Sequence, residues 1–194
     1  MKGLFEQAEL ALVILVIFLT TIGTSAKEFH DVKMADSIMV GNQKLFLKGM
    51  GLRELSFLGI IIRVYVGGLY VDDPKQDCEK LISSDKIRSV YMNFLRHVSP
   101  SDLSRSLEEG VEKNCGSHCK DFKAKTGEIK ALIPSVGSSD VLKITFDSKG
   151  TSFQLNDKTL GKIDGFEFSK TLLSVFIGDR PPTADLKNGL CGKI

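Results

Sequence analysis

A long apolar segment at residues 57–71, FLGIIIRVYVGGLYV, constrains the fold more than any other part of this sequence. Its apolar residues recur with the two-residue period of a β-strand, so one face of the strand is predicted to lie against a core. The residues assigned to that face are the even positions Leu58, Ile60, Ile62, Val64 and Val66. The odd positions are mixed and include Arg63 and Tyr65, which predicts that the second face borders a cleft or a polar layer.

Further strands are predicted on both sides of this segment. Gly41-Asn42 separates two short apolar runs within residues 38–48, which is the pattern of a β-hairpin. Residues 87–96 return to a strand pattern. Residues 141–163 contain three short apolar runs separated by turn residues, which predicts a three-stranded antiparallel meander.

Helices are predicted from capping residues and from apolar spacing. Pro74 begins a short helix that reaches about Ser83. Ser99 and Asp102 mark a second helix start, because the serine can cap free backbone amides and the aspartate can return the contact. Further helical patterns cover residues 121–132, 166–178 and 184–190. Together with the strands, these helices predict one α+β domain in which helices pack against an antiparallel sheet.

The composition and charge exclude several classes of function. The net charge of the 194-residue chain is only +2 and no continuous Lys/Arg stripe is present, which argues against nucleic-acid binding. The GMG stretch at 49–51 does not lead from a strand into a helix, which excludes a phosphate-binding loop. No Ser-His-Asp or paired-carboxylate pattern stands out. The histidines His30, His97 and His118 are interpreted as surface or hydrogen-bonded residues, so no metal site is predicted.

The first 26 residues have the pattern of a secretory leader. An apolar run at residues 10–19 is followed by small residues suited to cleavage after Ala26, and the run is too short for a comfortable membrane span. We therefore predict a signal peptide at residues 1–26, a single domain at residues 27–194, and export to the periplasm or the medium with no stable membrane span after cleavage. The alternative is an uncleaved anchor helix, which two acidic residues in the leader favour.

The four cysteines fit an exported protein. An even number of cysteines in an oxidising compartment predicts two disulfides. Three connectivities can join Cys78, Cys115, Cys119 and Cys191, and the sequence leaves the choice open. A metal site built from Cys115, His118 and Cys119 is the alternative, but their spacing matches neither a paired C-x-x-C zinc site nor a haem attachment motif.

Several segments, taken in order, resemble the chalcone-isomerase-like family and particularly its bacterial exported branch. They are GMGLR at 49–53, RVYVGGLYV at 63–71, NFLRHVS at 93–99, EEGVEKN at 108–114 and a long stretch from Gly150 to the C-terminus. The resemblance implies an open-faced β-sandwich, in which a large antiparallel sheet is covered on one face by helices and a ligand cleft lies between them. Plant isomerases of this family cyclise a chalcone to a flavanone, related members bind fatty acids, and mitochondrial members of fungi bind haem.

The resemblance also assigns roles to single residues. Arg53 matches the arginine that holds the anionic oxygen of the isomerase substrate, and a guanidinium suits a carboxylate or phenolate. Tyr65 stands where the isomerases have a threonine that polarises the substrate ketone, and Leu107 stands where they have a tyrosine. Asn114 retains a nearby asparagine. The resemblance gives Arg63 no role, but this residue lies two positions from Tyr65 on the same predicted face, where it either adds a second cationic contact or reaches solvent.

These changes predict a binding protein without catalytic activity, because activation of a substrate needs donors placed at the developing charge. We expect an exported protein that holds a small amphipathic acid through Arg53, Arg63, Tyr65, Leu107 and Asn114, with a fatty acid as the first candidate and haem as the second. The alternative is an isomerase or intramolecular lyase that uses Arg53, Tyr65 and Asn114. A third class, a scaffold for another exported protein, requires an exposed apolar patch.

Overall fold

The computed structural model describes residues 25–193, so nearly all of the predicted leader at residues 1–26 lies outside the described residues. The strands are β1 (Ala26–Phe29), β2 (Val32–Ala35), β3 (Ser37–Val40), β4 (Gln43–Phe57), β5 (Ile60–Val71), β6 (Arg88–Phe94), β7 (Val141–Phe146), β8 (Gly150–Leu155) and β9 (Lys158–Asp164). The helices are α1 (Cys78–Ser83), α2 (Pro100–Asn114), α3 (Cys119–Leu132), α4 (Phe166–Ile177) and α5 (Ala184–Leu190).

Seven of the strands form one antiparallel sheet in the order β3-β4-β5-β6-β7-β8-β9, so every strand lies beside its neighbour in sequence. Tight turns at Gly41-Asn42 and Asn156-Asp157 close two of its hairpins, which confirms the hairpin and the meander predicted from turn residues. Helix α2 begins as predicted, because the Ser99 side chain accepts a hydrogen bond from the Asp102 amide. The short helix predicted from Pro74 starts later, at Cys78.

One face of the sheet lies under the helices. The main core joins residues of β5 to β9 with the apolar sides of α2, α3, α4 and α5. The largest of its fully buried side chains are Phe94, Phe146, Phe153, Phe168 and Phe176. A large antiparallel sheet covered by helices on one face is the α+β arrangement predicted from the sequence, and that prediction is confirmed.

The opposite face of the sheet carries a smaller apolar cluster. The β1-β2 hairpin, which the sequence patterns did not predict, covers part of this face and buries Met34 against Leu47, Val66 and Tyr70. The Tyr70 hydroxyl donates a hydrogen bond to the Ala35 carbonyl at 3.0 Å, which ties the hairpin to the sheet. The β1 and β2 strands lack a clear alternation of apolar residues, which is why their pattern is weak in sequence.

The prediction of one continuous strand at residues 57–71 is wrong. The chain turns at Leu58 and Gly59, which both have positive φ, so β4 ends before this turn and β5 begins after it. Leu58 and Ile60 were predicted to face the core but are 87% and 64% exposed. From Tyr65 onward the odd positions face the main core, while Val66 packs on the opposite side of the sheet. The sequence gives the appearance of one strand because both arms of the hairpin are apolar next to the turn, so the apolar pattern is not interrupted there.

The GMG stretch has a packing role in this fold. A Cβ atom at Gly51 would lie 2.4 Å from the main-chain oxygen of Leu186, and α5 therefore lies with its backbone directly on β4. Gly189 makes the reciprocal approach, since a Cβ atom there would lie 2.3 Å from the Met50 oxygen. Glycines at these positions let a helix and a strand pack backbone to backbone.

Both predicted disulfides are present in the structure. One joins Cys78 to Cys191 across 113 residues and links the start of α1 to the end of α5. The other joins Cys115 to Cys119, only four residues apart, in the bend between α2 and α3. No helix within residues 25–193 is both long and apolar enough to cross a membrane.

Candidate ligand-binding site

A cavity of about 590 Å³ lies between the β4-β5 hairpin, the end of β6 and helices α2 and α4. Its volume falls in the range usual for small-molecule sites, roughly 300 to 1,000 Å³. Much of its wall is apolar and includes Ile62, Val64, Met92, Leu103, Leu107 and Phe176. A body of hydrocarbon can therefore be covered here, provided that polar groups at one end meet a polar head group.

Arg53 and Tyr65 form the polar centre of this cavity. They are direct partners across β4 and β5, so their side chains leave the same face of the hairpin and both line the cavity. Tyr65 is only 6% exposed, and its ring packs edge-on against Phe94 with 5.7 Å between centroids. Its hydroxyl makes no hydrogen bond to another residue of the described part of the chain. Two hydrogen-bond donors of different kinds thus line the same wall of the cavity.

The Arg53 guanidinium has no carboxylate partner among residues 25–193. It donates a hydrogen bond to the main-chain oxygen of Glu54. The Glu54 carboxylate instead pairs with Arg63, at 3.3 Å from the Arg63 Nε. A half-buried cation without a carboxylate partner can receive an anionic ligand.

An irregularity in the hairpin separates Arg63 from Tyr65. The register passes from Arg53 opposite Tyr65 to Glu54 opposite Arg63, so Val64 is an extra residue on β5. Such a β-bulge reverses the alternation of faces beyond it. Arg63 therefore turns away from the main cavity, although it lies two residues from Tyr65, and it lines a smaller cavity of about 380 Å³ on the other side.

The protonation state of Tyr65 follows from its surroundings. Burial raises the pKa of the Tyr65 hydroxyl well above its ordinary value, and the positive charge of Arg53 opposes this rise only in part. The phenol therefore stays neutral over the physiological range. A neutral phenol donates a hydrogen bond, which is what a carboxylate beside Arg53 would accept.

The structure brings some of the predicted contact residues to the cavity and not others. Leu107 lies on the inner side of α2 and lines the apolar wall. Asn114 lies at the end of α2 outside the cavity lining, where its amide donates to the oxygens of Gly110 and Arg180 at 2.9 and 3.1 Å. Asn114 thus fastens α2 to the loop after α4, while Arg53, Tyr65 and Leu107 share the cavity.

The rim of the cavity holds polar residues that the sequence patterns did not single out for a role. Arg96 and His97 follow β6 and are both exposed. Arg105 pairs with Asp102 on the first turns of α2. The motif NFLRHVS contained the first two residues, but neither strand alternation nor helix spacing indicates that they reach a cavity. Within residues 25–193 no cluster of His, Cys, Asp and Glu side chains suits a metal ion.

Comparisons with known proteins place this site in context. The family model described as chalcone isomerase-like matches residues 26–192. None of the curated proteins matches the sequence. Among solved structures, the chain is similar to the crystal structure of a fatty-acid binding protein of Arabidopsis thaliana, with a TM-score of 0.70 and 15% sequence identity. The match covers 87% of this chain and 96% of that chain, so the two proteins share a fold over nearly their whole length.

Proposed function

The chain belongs to the chalcone isomerase-like family, and from that premise we propose that it binds a fatty acid in the main cavity without transforming it. One observation supports the proposal above all: Arg53 and the buried Tyr65 are cross-strand neighbours on one wall of that cavity. Arg53 has no carboxylate partner among residues 25–193. The two side chains supply a cation and a neutral donor for one carboxylate.

The head group is held by two charge-assisted hydrogen bonds. The guanidinium of Arg53 presents several N–H donors in one plane, and the Tyr65 hydroxyl adds an O–H donor from the facing strand. Hydrogen bonds to a charged group contribute about 1.5 to 3 kcal/mol each. A neutral alcohol or ester would gain less from Arg53, so the pair favours an acid.

The acyl chain lies along the apolar wall. Leu103 and Leu107 of α2 approach from one side, and Ile62 and Met92 of the sheet approach from the other. Each methylene group removed from water contributes about 0.8 kcal/mol, so a chain of several methylenes outweighs the head group in binding energy. The similarly folded protein of Arabidopsis thaliana is named as a fatty-acid binding protein, which supports this ligand class.

The arrangement does not favour the alternative of an isomerase. The asparagine of that hypothesis, Asn114, is held by Gly110 and Arg180 outside the cavity. Leu107 offers no donor at the position where the isomerases have a tyrosine. On the wall formed by the hairpin the remaining donors are Arg53 and Tyr65, which suits the binding of a carboxylate, and the other polar side chains lie at the rim.

We also propose that the protein acts after export. Two disulfides join all four cysteines, and disulfides form and persist in the periplasm and outside the cell. The signal peptide at residues 1–26 and its cleavage after Ala26 remain part of this proposal. Fatty acids that reach such a compartment need a carrier because their chains are poorly soluble in water.

Haem is the second candidate ligand, since its propionates can also pair with Arg53. The cavity offers one nitrogen ligand for iron, His97 at the rim, and no thiolate, because the cysteines are in disulfides. A haem-loaded protein would show a strong Soret absorption band. Its appearance with Arg53 dependence would replace the fatty acid by haem in the proposal.

Native mass spectrometry of the protein purified from its host without detergent tests the proposed function. We expect a co-purifying fatty acid in the parent and its loss in Arg53→Ala. Arg63→Ala is the matched control, because Arg63 is an arginine of the same hairpin that faces away from the cavity. A ligand-free mass for the parent, also after palmitate and haem are offered, would contradict the proposal. Turnover of an unsaturated acid that depends on Arg53 would favour the isomerase.

A further inference from the structure

The tip of the β4-β5 hairpin, residues 55–62 with the sequence LSFLGIII, is an exposed apolar surface without a charged residue. Its large exposed side chains are Leu55, Phe57, Leu58, Ile60 and Ile61, each between 45% and 87% exposed. A continuous apolar patch of this kind marks a contact with another molecule or with a membrane.

The turn at the tip differs from comparable turns in the same chain. The two-residue turns His30-Asp31, Gly41-Asn42 and Asn156-Asp157 are built from glycine and polar residues, which are typical of hairpin turns. The fourth turn, Leu58-Gly59, places a leucine at φ 50°. A large apolar side chain in the left-handed region is both conformationally unfavourable and exposed, which points to a role for that side chain outside the fold.

The tip stands apart from the rest of the sheet. Strand β3 pairs with β4 only at residues 43–46, and β6 pairs with β5 only from Tyr65 onward. Residues 54–57 and 60–63 therefore pair only with each other. By this register Phe57 and Ile60 lie on one face of the ribbon, Ile61 lies on the other, and Leu58 lies at the end. A protein docked on the ribbon would cover one face, whereas an apolar medium covers both faces and the end.

The dimensions of the tip suit a bilayer surface. Three residues on each arm lie beyond the Glu54–Arg63 pair, which corresponds to roughly 10 Å at the rise of a β-strand. Interfacial apolar segments insert about 5 to 10 Å into the boundary between head groups and acyl chains. Deeper insertion is excluded because the outer edges of a two-stranded ribbon carry unpaired backbone groups. The tip is long enough for the interface and unsuited to crossing it.

We propose that this tip inserts into the interfacial layer of a phospholipid bilayer. The Glu54–Arg63 ion pair of the hairpin then lies at the level of the lipid phosphates, and the exposed Arg96 at the rim of the cavity meets their negative charge. Leu55 and Ile62 line the main cavity, and Phe57 and Ile60 continue the same face outward to the tip. If the cavity binds a fatty acid as proposed above, this face provides an apolar path between the bilayer and the cavity.

Tryptophan fluorescence tests the insertion directly. The chain contains no tryptophan, so Phe57→Trp places a single reporter at the tip. Phe46→Trp is the matched control, because Phe46 is an exposed phenylalanine near the other end of β4. The full chain is mixed with vesicles of phosphatidylcholine and phosphatidylglycerol that contain no free fatty acid, with and without brominated acyl chains. We expect a blue shift and quenching for Phe57→Trp and neither for Phe46→Trp, whatever the state of the leader.

A second substitution removes an apolar side chain from the tip in a variant that is expected to fold. Leu58→Asn, added to the Phe57→Trp reporter, places at the turn a residue that tolerates positive φ, and we expect roughly tenfold weaker vesicle binding from the lost apolar burial. Unchanged emission of Phe57→Trp on addition of vesicles would overturn the proposal and leave the tip to a protein partner. A blue shift that grows with protein concentration in the absence of vesicles would overturn it in favour of a second copy of this chain.

Discussion

The inner half of the β4-β5 hairpin (residues 43–53 and 65–71) and its outer half (residues 54–63) carry similar apolar residues in opposite surroundings. In the inner half, α5 lies on Gly51 and the side chains of β5 are buried on both faces of the sheet. In the outer half, Phe57 and Ile60 project with most of their surface exposed. The apolar pattern of a strand therefore does not decide its burial, which depends on the elements that pack against it.

The boundary between the two halves is the candidate site. The bulge at Val64 lies there, and it places Arg53 and Tyr65 on the face toward the cavity while it turns Arg63 away. Bulges are frequent next to functional sites, where they redirect a side chain. The hairpin thus combines a buried inner half, the candidate site at its middle and an exposed outer half.

The disulfide that fastens α5 over the inner half should have the strongest effect on stability. Loss of the Cys78–Cys191 bond in a double serine variant should lower the free energy of unfolding by about 5 kcal/mol, because the bond closes a loop of 113 residues. The matched loss of Cys115–Cys119, which closes four residues, should cost only about 2 kcal/mol. Urea unfolding measures both. Equal losses of unfolding free energy would show that the long-range bond stabilises the fold no more than the short-range bond does.

A smaller effect is expected from an added methyl group at Gly51. The Cβ of Gly51→Ala would meet the Leu186 main chain, which cannot move as a flexible side chain does, and we expect a loss of about 3 kcal/mol. Gly59→Ala in the outer half meets open space and adds only the strain of its positive φ, about 1 kcal/mol. Chemical denaturation compares the two. A Gly59→Ala loss as large as that of Gly51→Ala would contradict the contrast between the halves.

The next prediction concerns Tyr65 at the boundary. Burial raises its pKa in the folded protein above the ordinary value of 10.0, so its contribution to stability is complete below that pH and is lost as the pH rises further. Above pH 10 the folded parent retains the Tyr65 proton and the unfolded chain loses it. The free energy of unfolding therefore falls by about 1.4 kcal/mol per pH unit because of this group. Tyr65→Phe should fall less steeply by this amount. Identical alkaline slopes would indicate that the Tyr65 hydroxyl is not desolvated.

The smallest effect has the opposite sign. Leu58→Asn should raise the free energy of unfolding by about 0.5 to 1 kcal/mol, because asparagine tolerates the left-handed backbone better than leucine and no core contact is lost. Thermal unfolding measures the change. Ile144→Asn, at a fully buried position of β7, is the contrasting control and should unfold the protein. A destabilised Leu58→Asn would mean that the tip packs within the fold.

Much of the fold follows from local sequence signals. The hairpins closed by Gly41-Asn42 and Asn156-Asp157 were predictable because glycine, asparagine and aspartate adopt turn conformations readily. The start of α2 was predictable because the Ser99 side chain can accept a hydrogen bond from a free backbone amide. The turn at Leu58-Gly59 was not, since its leucine and the apolar residues on both sides continue the strand pattern. A hairpin whose tip is adapted to an external contact gives a misleading local signal.

The candidate site was predictable only in part. Arg53 and Tyr65 were identified through the family resemblance, and the cavity contains both. The direction of Arg63 depends on a one-residue bulge, which no alternation rule detects. The contacts of Asn114 with Arg180 and the pairing of Cys78 with Cys191 join residues far apart in sequence. Such long-range contacts are set by the assembled fold and leave no local pattern.

In the proposed complex Arg53 pairs with the carboxylate of a fatty acid inside the main cavity. Calorimetric titration of palmitate and of its methyl ester into the parent, Arg53→Ala and Arg63→Ala measures this pairing. Arg53→Ala should weaken palmitate binding by about 1.5 to 3 kcal/mol, roughly 10- to 150-fold, and weaken binding of the ester clearly less, while Arg63→Ala changes neither. Equal losses for acid and ester in Arg53→Ala, or palmitate binding that survives intact, would contradict the claim.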